Sequence, residues 1–240
     1  MSVVVVIPAR MGGERLPGKA LAEIGGVPLV VHVMRRAQLA ERIGRVIVAT
    51  DDTRIADSVR RHGGEAWMTR ADHACGTDRV AEVADELDAA HILNVQGDNL
   101  DLDPAAVDAV AEVLTTSTAP VVTPVTPFPA GADVSDPSKV KVVLADDGRA
   151  LYFSRQPVPS GGPWWRHVGI YGFRADILQR FASWSRGRLE ISEGLEQLRL
   201  IERGIEIHTV EVACTAAPID TAHDLALARS LFTSSSTLRH

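Results

Sequence analysis

Residues 3–7 are four valines and an isoleucine with no polar break, the pattern of a parallel strand covered on both faces. Pro8 ends the run. Residues 28–39 then carry apolar side chains at helical spacing, with Pro28 suited to a first turn. A second unbroken apolar strand is predicted at 46–50, after which Asp51 and Asp52 offer a cap for a helix over 53–62. Gly63 and Gly64 stop that helix before a short strand at 65–68. A helix over 77–87 with Thr77 as its cap, a strand at 91–95 and a helix over 104–114 follow. Strands alternating with helices of this length define βαβ units and a mainly parallel sheet, whose right-handed crossovers gather the strand ends on one edge.

Past residue 119 the rhythm changes. Strands are predicted at 121–125, 140–144, 151–154 and 168–173 without long helices between them, and Asp146-Asp147-Gly148 reads as a hairpin turn. Helical spacing returns at 175–182 and 195–202, a late strand at 205–212, and a closing helix at 221–231 with Thr221 as cap. The expectation is one Rossmann-like α/β domain over residues 1–232. A smaller antiparallel lobe is inserted over about 119–174, and a polar tail covers 233–240.

Composition narrows the function. The 240 residues carry a net charge of −6, which argues against general nucleic-acid binding because no basic face would release counterions. Cys75 and Cys214 are the only cysteines, too few for a metal or disulfide framework. No leader pattern and no membrane-spanning length is visible, so a cytoplasmic protein without a membrane partner is expected.

The chemistry gathers after the first strand. Gly12, Gly13 and Gly18 share a loop with Arg10, Arg15 and Lys19. Glycines let backbone wrap a ligand closely, and three cations beside a buried strand suit a polyphosphate. Gly13 and Gly18 have phosphate-loop spacing, but Ala20 stands where that motif needs a magnesium-binding hydroxyl, and GxGxxG is absent. The missing GxGxxG disfavours a nicotinamide-dependent oxidoreductase. Asp98, at the end of the 91–95 strand, faces the ligand crevice of such a sheet as a Mg²⁺ ligand or stands as a plain turn residue.

PAR-x-x-x-x-RLPGK, at residues 8–19, resembles the opening motif of the sugar-nucleotide cytidylyltransferases, and specifically those that activate 3-deoxy-manno-octulosonate (KDO) with CTP. NVQGD at 94–98, APIDTAHDL at 217–225, MTRADHACGTDRVAE at 68–82, the hairpin 139–155, RHVGIYGFR at 166–174 and LEQLR at 195–199 are similar to the family's blocks. The resemblance implies a nucleotidyltransferase (GT-A-like) fold and transfer of CMP from CTP, with release of pyrophosphate, to a small acidic acceptor. It implies Arg10, Arg15 and Lys19 as catalytic cations, and Arg70, Gly76, Thr77 and Arg79 as further nucleotide-binding residues. Asp98 and Asp220 would be Mg²⁺ ligands, and Gln96, His167, Tyr171, Glu196 and Gln197 acceptor-binding residues. A homodimer is part of the same expectation. A strand histidine is as often a structural group as a functional one, so both readings of His167 stand at this point.

Two departures from the family pattern bear on the acceptor. Asn99 and Leu100 replace the usual Glu and Pro, and only QPVPSGGPWW, residues 156–165, separates Arg155 from Arg166. A smaller lid and a lost acid suit a compact anion, so phosphonoformate is the alternative acceptor and KDO is expected to be the poorer of the two. A non-catalytic nucleotide-binding protein is the alternative from another class.

Overall fold

In the computed structural model, which describes residues 3–12, 16–213 and 219–237, every residue of β1 (Val3–Ala9) is buried. The β-branched run has apolar material on both faces, as its lack of polar breaks requires. A small separate ribbon, β2 (Glu23–Ile24) and β3 (Val27–Pro28), leads into α1 (Leu29–Ala37). Then come β4 (Ile43–Thr50), α2 (Thr53–Arg61), β5 (Glu65–Met68), α3 (Gly76–Asp85), β6 (His91–Val95) and α4 (Pro104–Thr116). The strands lie in the order β5-β4-β1-β6 and run parallel. Asp52 caps α2 by accepting from the Arg54 N–H at 2.9 Å. The expected cap of α3 is corrected: Cys75 occupies the cap position and Thr77 lies inside the helix.

The second half extends the same sheet. It contributes β7 (Val121–Pro127), β8 (Lys141–Leu144), β9 (Ala150–Ser154), β10 (Trp165–His167) and β11 (Ile170–Arg174). These continue antiparallel from β6 in the order β11-β7-β10-β8-β9. The segment expected as an inserted lobe therefore closes the open edge of β6. The single strand expected at 168–173 is split, because β10 pairs with β7 and β8 whereas β11 shifts over to pair with β6 and β7.

The chain ends with α5 (Ala175–Ser183), α6 (Arg188–Glu193), α7 (Leu198–Glu202), β12 (Ile207–Glu211), which runs parallel to β7, and α8 (Ala222–Thr237). The helix expected at 195–202 starts at Leu198, and α6 precedes it. The Thr221 hydroxyl accepts from the Asp224 N–H at 3.2 Å, capping α8 as expected.

The period of two along β1 sorts its side chains into two cores. Val3, Val5 and Ile7 pack with the apolar faces of α1, α2 and α4. Val4 and Val6 pack with α3, α5, Phe153 and Phe173. In the antiparallel half Lys141 is fully buried. Its ammonium donates to the carbonyls of Asp136, Lys139 and Arg155, while burial holds its pKa below the ordinary lysine value. Among the described residues no helix is long and apolar enough to cross a membrane.

Candidate active site

The turns that follow β1 and β6 open onto a cleft of about 560 Å³. This is where open α/β sheets place ligands. The turn after β6 packs on the end of β1: a side chain at Gly97 would bring its Cβ to 2.9 Å from the Pro8 carbonyl oxygen. The loop after β1 is closed by the Gly18 N–H, which donates to the Met11 carbonyl at 2.9 Å. Gly18 has a φ of 73°, a conformation that L side chains rarely adopt.

Lys19 follows on a single 3-10 turn and crosses the cleft floor. Its ammonium donates to Asp98 Oδ2 at 2.6 Å, to Asp220 Oδ1 at 3.1 Å and to the Ile219 carbonyl at 3.1 Å. Two carboxylates far apart in the sequence thus converge on one cation, with Arg10 on the same cleft wall. Among the described residues no third His, Cys, Asp or Glu completes a protein-only metal site. A pair of carboxylates alone fits Mg²⁺, which binds through one or two acids and fills its remaining positions with water and substrate phosphates.

The other wall is polar and partly buried. Gln96 and Glu196 line the cleft, and the Thr77 hydroxyl donates to Glu196 Oε1 at 2.7 Å. Burial together with the Glu196 carboxylate pushes the Cys75 thiol far above its ordinary value, so it stays protonated. Gly76 lets Gln96 lie close: a Cβ there would be 3.3 Å from both Gln96 Oε1 and Pro8 Cγ.

Of the residues singled out in the sequence, Arg10, Lys19, Gly76, Arg79, Gln96, Asp98, Glu196 and Asp220 line this one cleft. Arg15 lies outside the described residues. Arg79 is 3% exposed and committed to protein partners, pairing with Asp51 at 3.2 Å and donating to the Thr69 hydroxyl and the Arg70 carbonyl. Arg70 is not in the lining; its guanidinium sits on the surface beside Asp72 and Glu82. Thr77 is buried with its hydroxyl taken by neighbours, so it is not an open nucleotide contact.

His167, Tyr171 and Gln197 are also absent from the lining. The ring of His167 packs between Phe153 and Tyr171 and meets the Thr123 hydroxyl at 3.1 Å. Burial pushes its pKa down to about 3, so it is neutral at ordinary pH. Tyr171 is buried without a partner for its hydroxyl, as is the amide nitrogen of Gln197. Asn99 is buried too and does not reach the cleft.

The sequence reading missed Arg186 and Glu190, which also line the cleft. Glu190 accepts from Arg199 at 2.8 Å on both oxygens and from the Gly187 N–H at 3.2 Å. Burial pulls its pKa up, but the bonds and charge of Arg199 outweigh this and hold the carboxyl below its ordinary value. The available signal was the spacing Gly187-x-x-Glu190, an acid three residues past a helix start.

An open α/β sheet whose strand-end loops bring cations and paired carboxylates into one cleft defines an enzyme that handles a nucleotide. The sequence profile of the cytidylyltransferase family matches residues 4–207. The chain belongs to that family and is a nucleotidyltransferase. The 3-deoxy-manno-octulosonate cytidylyltransferase of Acidithiobacillus ferrooxidans is 42% identical over 253 residues, spanning 97% of this chain and 100% of that protein. The enzyme of the same name from Rhodopseudomonas palustris is 45% identical over 234 residues, spanning 94% of this chain and 95% of that protein. The solved CMP:2-keto-3-deoxy-manno-octonic acid synthetase complexed with CTP superposes with a TM-score of 0.92 at 41% identity, covering 98% of this chain and 100% of that one. A 4-diphosphocytidyl-2C-methyl-D-erythritol synthase from Anaerococcus prevotii, at 13% identity and a TM-score of 0.64 over 97% of this chain and 98% of its own, shares the fold alone.

Proposed function

We propose that this chain transfers CMP from CTP to a hydroxyl of KDO and releases pyrophosphate. The observation that carries the reading is the likeness, along 98% of the chain, to a synthetase solved with CTP. The acceptor oxygen attacks the α-phosphorus in line. A new oxygen–phosphorus bond forms, the bond to the bridging oxygen breaks, and the hydroxyl proton passes to solvent. Lys19 and Arg10 bind the triphosphate and neutralise charge that grows as pyrophosphate leaves. Asp98 and Asp220 would hold Mg²⁺, which when bound supplies further charge neutralisation at the phosphates. Lys19, now held by those two carboxylates, has its ammonium at the place where it can turn from them to a phosphate oxygen.

The phosphonate alternative draws no support from these relatives. The two features that suggested it also lie away from the site, since neither Asn99 nor any residue of 156–165 lines the cleft. The deciding experiment follows pyrophosphate release with CTP and Mg²⁺, offering KDO and phosphonoformate at equal concentration. Turnover with KDO alone is expected; turnover with phosphonoformate alone overturns the reading. The homodimer expected from the resemblance belongs to the same proposal, and sedimentation of the purified protein tests it.

A further inference from the structure

A chain of hydrogen bonds runs behind the polar wall of the cleft. Gln96 Nε2 donates to Asn94 Oδ1 at 3.2 Å, Asn94 Nδ2 donates to Thr77 Oγ1 at 2.9 Å, and Thr77 Oγ1 donates to Glu196 Oε1 at 2.7 Å. The two ends line the cleft. The two middle members are 0% and 1% exposed, so neither offers its side chain to a ligand. Asn94 is a fully buried polar residue between Leu93 and Val95, a position that demands partners.

The direction of this chain follows from its members. A carboxylate only accepts, and a threonine hydroxyl has one proton to give. Once that proton goes to Glu196, Thr77 can only accept from Asn94. Asn94 must then turn its nitrogen toward Thr77 and its oxygen toward Gln96. Gln96 must in turn present its nitrogen inward, which leaves its carbonyl oxygen for the cleft. Reversing one member sets two acceptors or two donors face to face where no water can intervene. Gly76 leaves room for this arrangement, because a Cβ there would come within 3.3 Å of Gln96 Oε1.

We infer that Asn94 and Thr77 are positioning residues that fix the Gln96 amide with its oxygen toward the cleft and hold Glu196 in place, so that this wall receives the hydroxyls of the acceptor and not its anionic group. The inference rests on the reading that this end of the cleft takes the acceptor. The outward Gln96 oxygen and Glu196 then both accept hydrogen bonds, which matches the hydroxyls of a sugar acid. The inner pair acts only through Gln96 and Glu196, as outer-shell partners orient the groups that touch a ligand.

Two measurements test it. The first needs no substrate: exchange of the Gln96 side-chain amide protons with solvent, read by NMR on ¹⁵N-labelled protein. Thr77→Val, which keeps the shape and loses the hydroxyl, is expected to speed that exchange roughly tenfold or more, and Thr77→Ser to restore it. Unchanged exchange in Thr77→Val overturns the chain itself. The second is steady-state kinetics with each substrate varied in turn. In Thr77→Val the KM for KDO should rise roughly tenfold while that for CTP moves less than about twofold, with Thr77→Ser again near wild type. A purely structural threonine lowers the melting temperature and leaves the KM values of the folded protein alone, and that result overturns the role.

Should Thr77→Val fail to fold, Gln96→Glu at the cleft surface decides the matter. It keeps an outward oxygen but sets a second acceptor against Asn94 Oδ1. It should lose KDO affinity by a similar factor, whereas wild-type affinity overturns the inference. If wild-type protein turns over no KDO, the proposed function fails while the exchange measurement still judges the chain.

Discussion

In the parallel half of the sheet, Arg10, Gln96 and Asp98 leave the strands on the turns after β1 and β6, and all three line the cleft. In the antiparallel half, His167 and Tyr171 stay within β10 and β11, and both are packed behind the wall among Phe153 and Phe173. A residue just past a parallel strand is free of the ladder and of both covering layers, so its side chain can face a ligand. A residue inside a strand must serve the packing on its face first. Changes on the turns should therefore cost rate, and changes in the antiparallel strands should cost stability.

The sharpest break would come at the metal. Chelation with EDTA should abolish pyrophosphate release and added Mg²⁺ should restore it, with the circular-dichroism spectrum unchanged throughout; full activity in EDTA removes the metal from the mechanism. Next in size, Lys19→Ala should lower kcat roughly 10²-fold or more, as for loss of a donor aimed at developing charge. Its melting temperature should move little, since the ammonium lies partly in solvent at the cleft floor. An unfolded Lys19→Ala protein would put a turn residue on the stability side and break the comparison.

In the other half, Lys141→Met should destabilise the fold by about 3 kcal/mol, because three partly buried carbonyls lose their donor. Urea denaturation measures this, and kcat per folded molecule should hold. His167 sharpens the same point through pH. Its folded pKa of about 3 lies below the ordinary histidine value of 6.5, so between those values the unfolded chain binds a proton that the folded chain refuses. Stability attributable to this site is complete above pH 6.5 and declines as pH falls toward 3. His167→Phe should flatten that part of the stability curve; an unchanged slope would mean that the ring is not held neutral. Gly76→Ala should have the smallest effect, a KM for KDO raised roughly threefold as Gln96 yields to the new methyl.

How much of this was visible beforehand follows the same divide. The unbroken apolar runs of β1 and β4 and the Asp52 cap of α2 left little freedom in the parallel half. The ribbon β2–β3 and the three-residue β10 escaped notice because two or three residues carry no period. Asp98 could be placed from its position past a strand, whereas Asp220 and Glu196 needed the family resemblance. The inner pair Asn94 and Thr77 left a trace, an asparagine in the apolar stretch HILNV. Its partners come from α3 and from the turn after β6, and only the folded backbone shows that they meet. The half-burial of His167 and the burial of Tyr171 depend on how β10 and β11 divide between neighbours, which alternation along one strand does not encode.

The contact between Gly97 and Pro8 gives the cleft something akin to a machinist's gauge block. The turn that carries Asp98 rests directly on the end of β1, just before Arg10, with only a hydrogen where a side chain would stand. Their separation is thus set by backbone contact, and not by side chains that repack as a sequence drifts. Neighbouring positions can change over long descent without resetting the spacing of the site, while any side chain at position 97 alters it at once.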